Sequence, residues 1–67
     1  MPKDFEATYH GSIVTLAPLT ADAIDWVHEN LPPDVMWIGG AVAIEPRYLD
    51  PIVVGILEAG LSMREDA

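Results

Sequence analysis

A small α+β domain of order β-α-β-α-(β) is predicted for this chain by three observations. Two short β-branched or alternating runs, Ser12 to Ala17 and Ala41 to Glu45, read as strands. Two longer segments, Ala21 to Leu31 and about Asp50 to Ala59, repeat apolar residues at helical spacing. Proline and glycine, singly or in pairs, punctuate the boundaries between segments. Residues 1–67 are too few for more than one domain. Two helices packed on a two- or three-stranded sheet are the simplest way to bury one sheet face at this size.

Residues 1 to 10 are mixed and polar, and read as a loose lead-in or an edge strand. Ser12-Ile13-Val14-Thr15-Leu16-Ala17 forms the first strand, with Pro18 at its exit. Thr20 is a good N-cap for the first helix, and Asp22 lies in the first turn, where the helix dipole favours an anion. Ala21, Ile24, Val27 and Leu31 mark its apolar side, with Asp22, Asp25 and Glu29 opposite. Pro32-Pro33 ends it, because a proline disfavours α conformation in the residue before it and donates no backbone hydrogen bond.

Val35 to Gly40 is an apolar loop or a short strand, and Ala41 to Glu45 the second strand, with Val42 and Ile44 on one face. The second helix starts at Arg47 or Asp50, since Pro46 and Pro51 are both tolerated in or before a first turn. Leu49, Ile52, Val53, Ile56 and Leu57 form its apolar face and Gly60 its C-cap. Leu61 to Met63 is a marginal third strand. The strand-helix-strand connections permit parallel pairing with a right-handed crossover, and strand order stays open.

Charge is the chain's most informative property. From Asp4 to Pro46 there are seven carboxylates and neither lysine nor arginine; over the whole chain eleven acids face Lys3, Arg47 and Arg64, a net charge of −8. At least eight carboxylates therefore lack an intramolecular cation, although like charges on a compact body destabilise it. Such a field disfavours direct binding to nucleic acid or anionic lipid and attracts basic protein surfaces.

The apolar content of 51% excludes the low-hydrophobicity signature of disorder. No apolar stretch approaches the roughly 20 residues needed to span a bilayer. An amino terminus without signal-peptide layout points to a cytoplasmic location, that of the host bacterium, and the absence of cysteine is compatible with it.

The order of several short pieces is similar to a group of short uncharacterised proteins from proteobacteria and their phages and prophages. The pieces are Leu16, Pro18-Leu19-Thr20, Trp26, Glu29, Trp37, Gly39-Gly40-Ala41, Glu45, Arg47-Tyr48 and Gly60-Leu61, spread over residues 10 to 63. Pro46 and Pro51 depart from the pattern. The resemblance carries no known activity or site residues. It implies a context in which small proteins inhibit host defence, and very acidic ones, several anti-CRISPR proteins among them, imitate DNA.

The helix acids Asp22, Asp25 and Glu29 span about 10 Å at 1.5 Å per residue, a length comparable with a few phosphates spaced about 3.4 Å along one DNA strand. A solvated helix face is the ordinary reading of such acids. A helix stabilised for its own sake, however, would place a cation four residues on, where here stand Trp26, Glu29 and Pro33. Trp26 borders the acidic side and could anchor an interface, or it could belong to the core, as Trp37 would.

His28-Glu29 lacks the second histidine of a zinc motif, Gly39-Gly40 lacks the lysine of a phosphate loop, and neither Ser12 nor Ser62 sits in a nucleophile elbow. No cofactor, metal or catalytic residue is expected. The expected function is a non-enzymatic acidic protein that blocks a basic, normally DNA-binding surface of a host protein or ribonucleoprotein, a CRISPR effector foremost. Asp22, Asp25, Glu29 and Trp26 would carry the contact, with Asp34, Glu45 and Glu58 behind them. The alternative is a homo-oligomeric structural or assembly protein, joined through its apolar sheet face or Trp37 segment, whose acidity serves solubility. A monomer or a small homo-oligomer fits the expected inhibitor.

Overall fold

The computed structural model describes residues 3–66. It is an α+β domain with one five-stranded mixed sheet and two helices. The strands are β1 (Phe5–Tyr9), β2 (Val14–Pro18), β3 (Trp37–Ile38), β4 (Ala41–Ile44) and β5 (Met63–Asp66). Helix α1 (Ala21–Asn30) follows β2, and α2 (Leu49–Glu58) follows β4. The sheet order is β3-β4-β2-β1-β5, with β1 and β5 parallel and all other neighbours antiparallel.

The sheet thus has more strands than the two or three expected. Residues 5 to 9 are neither lead-in nor edge: β1 lies between β2 and β5, and Phe5 and Ala7 are fully buried. Met1, Pro2 and Ala67 lie outside the described residues. The segment after Pro32-Pro33 contributes a strand because Gly39, at φ +62°, makes a two-residue turn with Gly40 that folds β3 onto β4. That hairpin reverses the chain, so β4 runs antiparallel to β2, and the parallel returns are β2 to β3 across α1 and β4 to β5 across α2.

The inner sheet face is Phe5, Ala7, Val14, Leu16, Val42 and Ile44, one residue in two along each strand, as strand geometry requires. Both helices cover it with Ala23, Trp26, Val27, Leu49 and Ile56. Helix α1 is therefore rotated from the expected face: Ala23 and Trp26 point inward, while Ala21 and Ile24 are exposed. The reason is volume. The indole fills the space over Phe5, edge to face at 5.8 Å between centroids, and only Gly55 of α2 leaves room above it.

The caps follow the sequence closely. Thr20 Oγ1 accepts the Ala23 amide hydrogen (3.2 Å) and donates to Asp4 Oδ1 (2.7 Å), tying α1 to the start of β1. Pro46–Tyr48 forms a single 3-10 turn before α2, which accommodates both prolines. Gly60, at φ +80°, ends α2: its amide donates to the Leu57 carbonyl (3.0 Å) and the Leu61 amide to the Ile56 carbonyl (3.1 Å), the paired bonds of a Schellman cap.

Asp4 joins three elements. Its Oδ2 accepts from the Ser62 amide (3.0 Å) and hydroxyl (3.3 Å), and its Oδ1 from Thr20. The Ser62 amide, followed by the Thr20 hydroxyl, holds this carboxyl below the usual aspartate pKa. A lowered folded pKa contributes stability that is fully present above the unfolded value of about 3.9 and is lost as pH falls through the folded value. Acid titration of the wild type followed by circular dichroism is expected to show this loss. The Asp4→Asn variant should be less stable at neutral pH, with a shallower decline below pH ~4.

Candidate functional site

Asp22, Asp25 and Glu29 emerge from the solvent side of α1, all exposed, because the rotation that buries Ala23, Trp26 and Val27 turns them outward. They line one shallow hollow of about 280 Å³ with the rim of Trp26 and with Ala59 and Leu61 from the end of α2. Its apolar lining is Trp26, Ala59 and Leu61, and its acidic lining is the three carboxylates. Among the described residues none of the three has an ion-pair partner: Arg47 Nε lies 3.1 Å from Glu45, and Arg64 pairs with Glu6. The C-terminal end of α2, which carries partial negative charge, reaches the hollow through Ala59.

Such a site suits a lysine or arginine side chain. The aliphatic stem would lie on Trp26 and Leu61 while the cationic head meets carboxylates from three turns of one helix.

The remaining expected contact residues do not all gather here. Glu58 is exposed at the last turn of α2, one residue before Ala59. Asp34 is exposed in the loop after Pro33 and lies outside the hollow. Glu45 sits elsewhere, beside Arg47, at a separate apolar groove of about 380 Å³ that includes Leu31, Val35, Tyr48 and Ile52. Trp26 is only 9% exposed, so it belongs to the core and offers the hollow no more than an edge. Trp37, expected in the core, is 40% exposed on the outermost strand, its ring 6.2 Å from that of His28.

Ala59 and Leu61 were not foreseeable as site residues. Nothing in their local sequence places them beside α1. The one available signal was Gly55, whose missing side chain marks close helix contact: a Cβ there would stand 3.1 Å from Trp26 Cζ2.

A second acidic group lies around Tyr9. Burial, then Glu65 and Asp50, push the Tyr9 hydroxyl above its ordinary pKa. Among the described residues no cluster of three or more His, Asp or Glu is arranged to hold a metal ion, and no helix is long and apolar enough to cross a membrane. Comparison with protein-family models, characterised proteins and solved structures finds no match to this chain.

Proposed function

We propose that this protein is a non-enzymatic acidic binding protein whose α1 face occupies a basic surface of another protein, one that normally holds nucleic acid. The observation that carries this reading is the hollow edged by Asp22, Asp25 and Glu29, three exposed carboxylates without a cation among the described residues. Basic grooves that bind DNA present lysine and arginine in rows, and those side chains fit a site with an apolar floor and an acidic rim. Occupation of such a groove excludes DNA by charge and by bulk. A CRISPR effector complex stands first among targets because of the resemblance to phage proteins.

The test is displacement of labelled duplex DNA from purified CRISPR effector complexes, read by fluorescence anisotropy. The protein is expected to displace DNA at low salt. Its own binding, measured directly by calorimetry, should weaken at least tenfold as the screening length shrinks from about 10 Å at 0.1 M salt towards about 3 Å at 1 M. Retention of DNA by every effector at low salt in the presence of excess protein overturns the reading.

A further inference from the structure

The two edges of the sheet differ in chemistry. The β5 edge carries Arg64 and Glu65, both exposed, and charged side chains are a usual guard against pairing with another sheet. The β3 edge carries no guard. From Val35 to Ile44 there is no ionisable side chain, and Met36, Trp37 and Ile38 are 67%, 40% and 53% exposed in succession.

The hydrogen-bond register shows what this edge offers. The Ala43 amide donates to the Met36 carbonyl (2.9 Å), so Met36 belongs to a bonded pair with β4. Bonded and non-bonded pairs alternate in an antiparallel ladder, which makes Trp37 and Val42 the non-bonded pair. The N–H and C=O of Trp37 therefore point away from β4, off the edge of the sheet.

We propose that two copies of this protein pair through their β3 edges, antiparallel about a two-fold axis at Trp37, joining two five-stranded sheets into one. A donor and an acceptor on the same residue are self-complementary: each Trp37 exchanges both backbone bonds with the Trp37 of the other copy. Met36 of one copy then faces Ile38 of the other, and two exposed apolar rows cover each other. The arrangement is isologous and closes at two copies, because the remaining free edge on each side is the charged β5. A two-fold axis of this kind is perpendicular to the sheet, so both α1 acidic faces lie on the same side of the dimer.

A second copy fits this edge better than a basic partner does, since Val35 to Ile44 offers no carboxylate for a lysine or arginine to meet. The contact engages three apolar side chains per copy, less than the roughly 800 Å² per partner of a standard interface, which places it among weak, reversible associations. Two bodies of charge −8 repel each other, so salt strengthens this association. The proposed capture of a basic partner has the opposite salt dependence.

Sedimentation equilibrium of the full chain from roughly 10 to 500 μM tests the proposal, run at about 50 mM and 500 mM salt. The expected result is a reversible monomer–dimer equilibrium, tighter at high salt, with no larger species. The Trp37 amide should exchange its hydrogen more slowly as protein concentration rises. Ile38→Lys and Met36→Lys should each be monomeric at all concentrations with unchanged far-UV circular dichroism, while Val54→Lys, on the exposed face of α2, should still dimerise. A monomer throughout, a dimer that persists in both edge variants, or open-ended assembly overturns the proposal. Ile38→Lys should still displace DNA from a basic partner, so loss of dimerisation and loss of partner binding are separable.

Discussion

Trp26→Ala is expected to lower the thermal midpoint by roughly 20 °C, enough to leave much of the protein unfolded at 37 °C. A chain of 67 residues at ~0.05–0.15 kcal/mol per residue has roughly 3–10 kcal/mol of stability. Removing a buried tryptophan costs about 3–5 kcal/mol, and the edge-to-face contact with Phe5 contributes within that loss. The cavity would open between α1, α2 and β1, and Gly55 cannot fill it. A thermal melt followed by circular dichroism measures the effect; a midpoint within a few degrees of wild type would contradict the packing of Trp26 on Phe5 and Gly55.

The same contact makes a sharper prediction at Gly55. In an open helix, alanine in place of glycine stabilises by about 1 kcal/mol. Here the added Cβ would meet Trp26 Cζ2 at 3.1 Å, and the indole is packed edge to face with Phe5, so any shift that makes room disturbs that contact. Gly55→Ala is therefore expected to destabilise the wild type. In the Trp26→Ala background it should instead stabilise, and this reversal of sign is the coupling that a double-mutant cycle reads.

The second large effect concerns binding. Asp22→Lys, Asp25→Lys and Glu29→Lys together are expected to weaken capture of a basic partner by on the order of a hundredfold or more. Each reversal replaces an attraction with a repulsion and adds two units of charge, so the net charge moves from −8 to −2. The fold should survive. All three sites are exposed, and the main cost is a cation in the first turn of α1, about 0.3–1 kcal/mol.

Asp34→Lys, Glu45→Lys and Asp50→Lys together change the net charge by the same amount but lie outside the hollow. That control should keep most of the binding. Equal losses in the two triple variants would assign the affinity to bulk charge rather than to the α1 face.

The local grammar of this chain was legible. Thr20 as N-cap, Pro32-Pro33 as stop, Gly60 as C-cap and the alternation of Ala41 to Ile44 each act within a few residues, and each appears where expected. Strand β1 was not legible as a central strand, because Phe5-Glu6-Ala7-Thr8-Tyr9 becomes one only when β2 and β5 pair on its two sides. The roles of the two tryptophans were exchanged for a related reason. Trp26 lies on the border of the apolar stripe, and which side of that border turns inward depends on Gly55 of the other helix.

By itself the sequence determined the α+β class, both helices with the N-cap of the first and the C-cap of the second, and a charge imbalance that three cations cannot neutralise. Those properties depend on backbone chemistry and on counting, and both are local or additive. Only the tertiary structure decided the strand order, the rotation of α1 and the company each acid keeps. Asp22, Asp25 and Glu29 meet Ala59 and Leu61 around one hollow, while Glu45 is drawn to Arg47 elsewhere. The physical reason is that a site is made where distant segments are packed together, and packing is settled by volume and pairing across the whole chain.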